Sequence, residues 1–140
     1  MKLEVHRALF AVVALVASSA PALAHHSFAA IWDEKTEFKV TGTLTKVDWV
    51  NPHIYYYVDV KDDKGKVVTY SFEGMPPGML RRLGFSKDTL GAVVGKTITV
   101  QAYAAQDHTK TLGFGKTITF PDGHAIQIVP DSIAAYSSAQ

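Results

Sequence analysis

The chain has 140 residues, with 14 lysines and arginines against 13 aspartates and glutamates, a formal net charge of +1 and 47% hydrophobic residues. That is the length of one domain, too apolar for a disordered chain and too evenly charged for a broad nucleic-acid footprint. The lack of cysteine excludes disulfide scaffolds, thiolate metal sites, cysteine nucleophiles and a lipid anchor carried on cysteine.

Residues 1–24 read as a secretory signal peptide. Lys2 and Arg7 precede an unbroken apolar run from Ala8 to Ala17, and Ala22-Leu23-Ala24 supplies a small-residue cleavage site. The apolar run is short for a permanent span. The expectation is an exported protein, periplasmic in a Gram-negative host, with no permanent membrane anchor. Cleavage after Ala24 removes Lys2, Arg7 and Glu4, brings the formal charge to zero and makes His25 the amino terminus.

An amino-terminal arm is expected over 25–36, a folded domain over 37–130 and a tail over 131–140. Phe38 to Trp49 alternates Val40, Gly42 and Leu44 with Lys39, Thr41 and Thr43, the period of a half-buried strand. Asn51-Pro52 breaks it. A second strand runs from Ile54 to Lys61, and Asp62-Asp63-Lys64-Gly65 turns it into a third, Lys66 to Glu73, forming a hairpin. Met75 to Gly84 reads as a short helix, with paired prolines at its start, Met79, Leu80 and Leu83 on one side and Gly84 at its end. Ser86 can cap a further helical turn. Thr97 to Tyr103 and Leu112 to Phe120 are the fourth and fifth strands, and Pro121-Asp122-Gly123 leads into a short partner at Ala125 to Val129.

Three strands, a helix and two strands is the order of the OB-fold, a small Greek-key barrel. The predicted class is therefore all-β with one short helix, an OB-fold-like β-β-β-α-β-β barrel, with an open antiparallel sandwich as the alternative. Closure removes the exposed edges that short strands would leave in a domain without disulfides. Gly42, Gly113 and Gly115 mark places for a bend, a bulge or a close approach inside strands.

The start His25-His26-Ser27-Phe28, the segment from Val40-Thr41-Gly42-Thr43 to Val47-Asp48-Trp49-Val50-Asn51-Pro52-His53, and Phe72-Glu73-Gly74 ahead of Leu80-Arg81-Arg82 carry a likeness. On those residues the chain resembles a family of exported proteobacterial proteins of unknown function. In strand order it is also similar to the bacterial OB-fold family of small periplasmic proteins. Neither resemblance implies an activity, so function must be argued from the site.

Histidine dominates the candidate chemistry. A free α-amine and the imidazole of His25 can chelate one ion together, an arrangement suited to copper(II) with its preference for nitrogen ligands. His26 and His53 are the further metal candidates, with His53 preferred because it lies in the loop between the first two strands. His108 and His124 read as surface residues. A second cluster is aromatic: alternation puts His53, Tyr55, Tyr57 and Asp59 on one face of the second strand and Ile54, Tyr56, Val58 and Val60 on the other. With Trp49 and Asn51, Tyr55 and Tyr57 can offer a surface for a ring-shaped ligand, or pack against the arm through Phe28 and Trp32. Arg81 and Arg82 read as a solvated helix face. Glu73 becomes an acid or base only if folding brings it to His53.

No Gly-x-Ser-x-Gly elbow, His-Glu-x-x-His pair or phosphate loop is present, so catalysis has no positive support in the sequence. The expectation is a non-enzymatic periplasmic binding module for copper or a small ligand, without nucleic acid. The alternative is an envelope interaction or stress adaptor that contacts another periplasmic protein.

Overall fold

The computed structural model describes residues 28–129. One turn of helix, α1 (Phe28–Ile31), runs directly into β1 (Trp32–Asp48). There follow β2 (Tyr55–Lys61), β3 (Val67–Glu73), α2 (Pro77–Arg82), α3 (Lys87–Gly91), β4 (Thr97–Ala105), β5 (Leu112–Thr119) and β6 (Ala125–Gln127). The expected signal peptide, His25, His26 and the expected tail over 131–140 lie outside the described residues.

The strands pair in the order β3-β2-β1-β4-β5-β6, all antiparallel, and β3 returns to pair in parallel with β5 through Ser71–Leu112, Phe72–Gly113 and Glu73–Phe114. That last ladder closes five strands into the OB-fold-like barrel. The hairpin at 62–65 forms as its residues dictate: Gly65 takes a φ of 80°, and the Asp62 carboxylate accepts from the backbone N–H groups of Lys64 and Lys66.

β1 is longer than its patterning suggests. It starts at Trp32 rather than Phe38, pairs with β4 from Trp32–Ala105 to Thr43–Thr97, and then pairs with β2 from Thr43–Asp59 to Asp48–Tyr55. The polar run Asp33-Glu34-Lys35-Thr36 falls in a register shift, which hides the strand's period, while Trp32 at its head is buried. At Gly42, just before the strand passes to its second partner, an added Cβ would lie 2.3 Å from the Asp59 carbonyl oxygen. The glycine serves a close approach of two backbones.

Tyr56, Val58, Phe72, Val100 and Ile118 fill the interior, all with no exposed surface. Gly113 and Gly115 face inward as well, because a Cβ on the first would meet the Phe38 ring and on the second the Tyr56 hydroxyl. Alternation then turns Phe114 outward. There it meets Phe28 at 4.9 Å and Trp32 at 5.7 Å between ring centroids, so the amino-terminal arm seals a second apolar layer on the outer wall.

The helix expected over Met75 to Gly84 forms as α2, the further turn expected at Ser86 forms as α3, and α1 adds a third short helical segment ahead of β1. Gly84 ends α2 at a φ of 79°, Phe85 is buried, and Ser86 restarts the helix by a capping box with Thr89. Leu80, Phe85 and Leu90 are all buried, and they cover the barrel where β3 finishes and β4 begins. Among the described residues, no helix is long and apolar enough to cross a membrane.

Candidate functional site

The connection 49–54 joins β1 to β2 and contains a cis Asn51–Pro52 peptide bond. Its end is tied to the end of β3: Gly74 N–H donates to the Ile54 carbonyl at 2.9 Å and Ile54 N–H to the Met75 carbonyl at 3.4 Å. Ile54 is buried, so its neighbours His53 and Tyr55 turn to the outer wall. Tyr55 stands opposite Glu73 in the β2–β3 register. His53, Tyr55 and Glu73 thereby meet on one outer patch.

Glu73 joins the other two. Its Oε1 is hydrogen-bonded to His53 Nδ1, and the Tyr55 hydroxyl donates to its Oε2 at 3.3 Å. The His53 and Glu73 side chains are only 22% and 17% exposed, so the contact is partly shielded from water. Phe114, the parallel neighbour of Glu73, sets its ring edge-on to the imidazole at 6.3 Å and 81°. Burial first, and the Glu73 carboxylate second, push the Tyr55 phenol above its ordinary range. A carboxylate accepting from Nδ1–H selects the tautomer whose lone pair is on Nε2, the arrangement common in histidine metal ligands.

The other residues picked from sequence are placed more variously. Tyr57 shares the outward face with Tyr55, but Lys46 Nζ lies over its ring at 5.3 Å. Asp59, farther along that face, accepts from the Thr69 hydroxyl at 2.6 Å. Trp49 packs against the core rather than standing out as a platform, and its indole N–H is buried with no hydrogen-bond partner among the described residues. Asn51 is exposed. His108 sits in the β4–β5 connection at a φ of 60°, and His124 stacks on Phe120 in the β5–β6 turn at 5.3 Å. Among the described residues no three His, Asp or Glu side chains are grouped to hold a metal ion.

Two residues of the patch are less visible in the sequence. Glu73 depends on a cross-strand register, and Phe114 on a parallel pairing. Phe114 does carry a signal, since it is a lone large side chain between Gly113 and Gly115, the pattern of a strand with one crowded face.

No curated protein matches the chain. The crystal structure of yeast Stn1 and Ten1 is similar with a TM-score of 0.34 and 14% identity, over 74% of this chain and 50% of that one. The chain thus spans about half the length of the solved chain it matches. A family model matches residues 12–114, from within the amino-terminal apolar run to Phe114 in the wall behind His53. The chain belongs to that family, the family of unknown function DUF6152.

Proposed function

We propose that this protein is an exported, non-enzymatic OB-fold binding module of the periplasm, and that it holds copper(II) between His53 and its processed amino terminus. One observation carries the reading. Phe28 of the arm and His53 of the loop rest on the same ring, Phe114. His25 is three residues from Phe28, so its reach from that anchor is at most about 10 Å. In this reading the α-amine and imidazole of His25 chelate the ion, His53 supplies a third nitrogen through Nε2, and His26 is the alternative donor. Glu73 orients the His53 ring, as outer-sphere carboxylates do for metal-bound imidazoles. Nitrogen donors without thiolates favour copper(II) over the softer copper(I).

The test uses protein processed to begin at His25, titrated with copper(II) and followed by electron paramagnetic resonance. Expected are submicromolar binding, nitrogen hyperfine structure and about a tenfold or greater loss of affinity in both His25→Ala and His53→Ala. Binding weaker than about micromolar, or indifferent to both substitutions, would remove the metal reading. The adaptor reading draws on different features, the outward Tyr55 and Tyr57 and, in the connection that precedes them, Val50, which is 49% exposed. It predicts a periplasmic partner in cross-linking that is lost with Tyr55→Ala or Tyr57→Ala and is unaffected by chelators.

A further inference from the structure

Away from the His53 patch, the barrel is open at one end. The inward positions of β4 shrink along the strand from Ile98 and Val100 to Ala102 and Ala104. This happens at the end remote from α2 and α3, where β3 begins and β4 gives way to the β4–β5 connection. The small side chains leave a cavity of about 460 Å³. Its lining includes Phe38, Tyr70 and Ala104 from the strands, and Lys39, His108 and Lys110. The volume falls in the roughly 300–1,000 Å³ range of small-molecule sites.

The chemistry of this mouth is uneven. The Phe38 and Tyr70 rings stand 6.3 Å apart between centroids, inclined at 39°, and form an aromatic wall. Lys39 and Lys110 line it, neither has an ion-pair partner among the described residues, and no lining residue is a carboxylate. Asp33 and Asp107 are within electrostatic reach of His108. Their oxygens accept hydrogen bonds from Lys35 N–H and the Thr36 hydroxyl and from Thr109 N–H, which leave both carboxylates charged, but neither residue lines the cavity. An aromatic wall beside two lysines suits a ligand that has both a ring and a negative charge. A neutral ring would leave the lysine attraction unused, and a cation would meet repulsion.

We propose that the barrel mouth binds a small aromatic carboxylate, its ring against Phe38 and Tyr70 and its carboxylate between Lys39 and Lys110. This site is separate from the His53 patch and independent of any metal there.

The probe is 4-hydroxycinnamate, titrated into isotope-labelled protein with amide shifts read by NMR. Cinnamyl alcohol keeps the ring without the charge, and decanoate keeps the charge without the ring. Saturable shifts centred on Ala104, Ala105, Thr109 and Lys110, strongest for 4-hydroxycinnamate and unchanged by a chelator, are expected. Ala104→Leu fills the mouth and should abolish binding. The paired Lys39→Met and Lys110→Met variant touches only exposed positions and should weaken binding by about fivefold. Equal binding of cinnamyl alcohol or decanoate overturns the proposal. So do shifts centred on His53, full affinity in the double lysine variant, or no saturable shift at all.

Discussion

Gly115 gives a sharp test of the interior packing. A methyl group placed there would lie 1.7 Å from the Tyr56 hydroxyl oxygen, 2.9 Å from Cζ and 3.5 Å from Ile128 Cδ1. The phenol cannot swing away, because Tyr56 has no exposed surface and stacks on Phe72 at 5.4 Å. Gly115→Ala must therefore displace β5 or the ring, and overpacking of this kind costs about 1–3 kcal/mol or more. Removing the hydroxyl should relieve much of it, since the nearest remaining atom is then Cζ at 2.9 Å. Tyr56→Phe alone should be inexpensive: the hydroxyl is buried with no hydrogen-bond partner among the described residues. Losing an unsatisfied polar group is neutral or stabilises by about 1 kcal/mol. A double-mutant cycle by urea unfolding of Tyr56→Phe, Gly115→Ala and their combination measures the coupling. The penalty of Gly115→Ala should shrink by about 1–2 kcal/mol when Tyr56→Phe is already present. Equal penalties in the two backgrounds, or a neutral Gly115→Ala, would show that Tyr56 does not point at β5 and that the barrel interior is packed differently.

Gly42→Ala would put a methyl 2.3 Å from the Asp59 carbonyl oxygen, so urea unfolding should show a loss of about 2 kcal/mol or more, unrelieved by trimming any side chain. Ser86→Ala removes the side-chain half of the α3 capping box and should lower stability by about 1 kcal/mol, read from the thermal midpoint. The raised Tyr55 phenol means that the folded state favours the neutral form, so its contribution is intact below the ordinary value of 10.0 and disappears as pH rises through the folded value. Urea midpoints should therefore fall above about pH 10, and less steeply in Tyr55→Phe. Glu73→Gln should weaken copper(II) binding by about tenfold while leaving the His53 ring in place, measured by the same titration that tests the proposed site.

Much of the barrel is legible from local pattern. The stretch from His53 into β2 shows why: Ile54, Tyr56 and Val58 are all buried, alternating with His53, Tyr55 and Tyr57 on the outer wall, as a period of two requires. The 62–65 turn and the capped restart at Ser86 are equally local, since a glycine at positive φ and a side chain bonded to a nearby N–H need no distant partner. β1 is the counterexample. Its first residues carry no apolar alternation, and only pairing with β4 makes Trp32 the head of a strand.

The patch around His53 follows the same division. The residue types were visible in the sequence: a histidine after Asn51-Pro52, outward tyrosines and a glutamate before Gly74. Their meeting was not, because Glu73 reaches His53 and Tyr55 through the β2–β3 register, and Phe114 arrives behind them through the parallel β3–β5 closure. Chain periodicity sets which face a side chain takes; it carries no information about which distant strand will lie beside it. The succession of strands along the chain, the turns, the helix caps and the inward and outward faces of regular strands such as β2 were thus determined along the chain. The His53–Glu73–Tyr55 cluster, the seating of the arm on Phe114 and the open mouth beyond Ala104 were decided when the sheet closed on itself, since each depends on residues far apart in sequence that only barrel closure brings together.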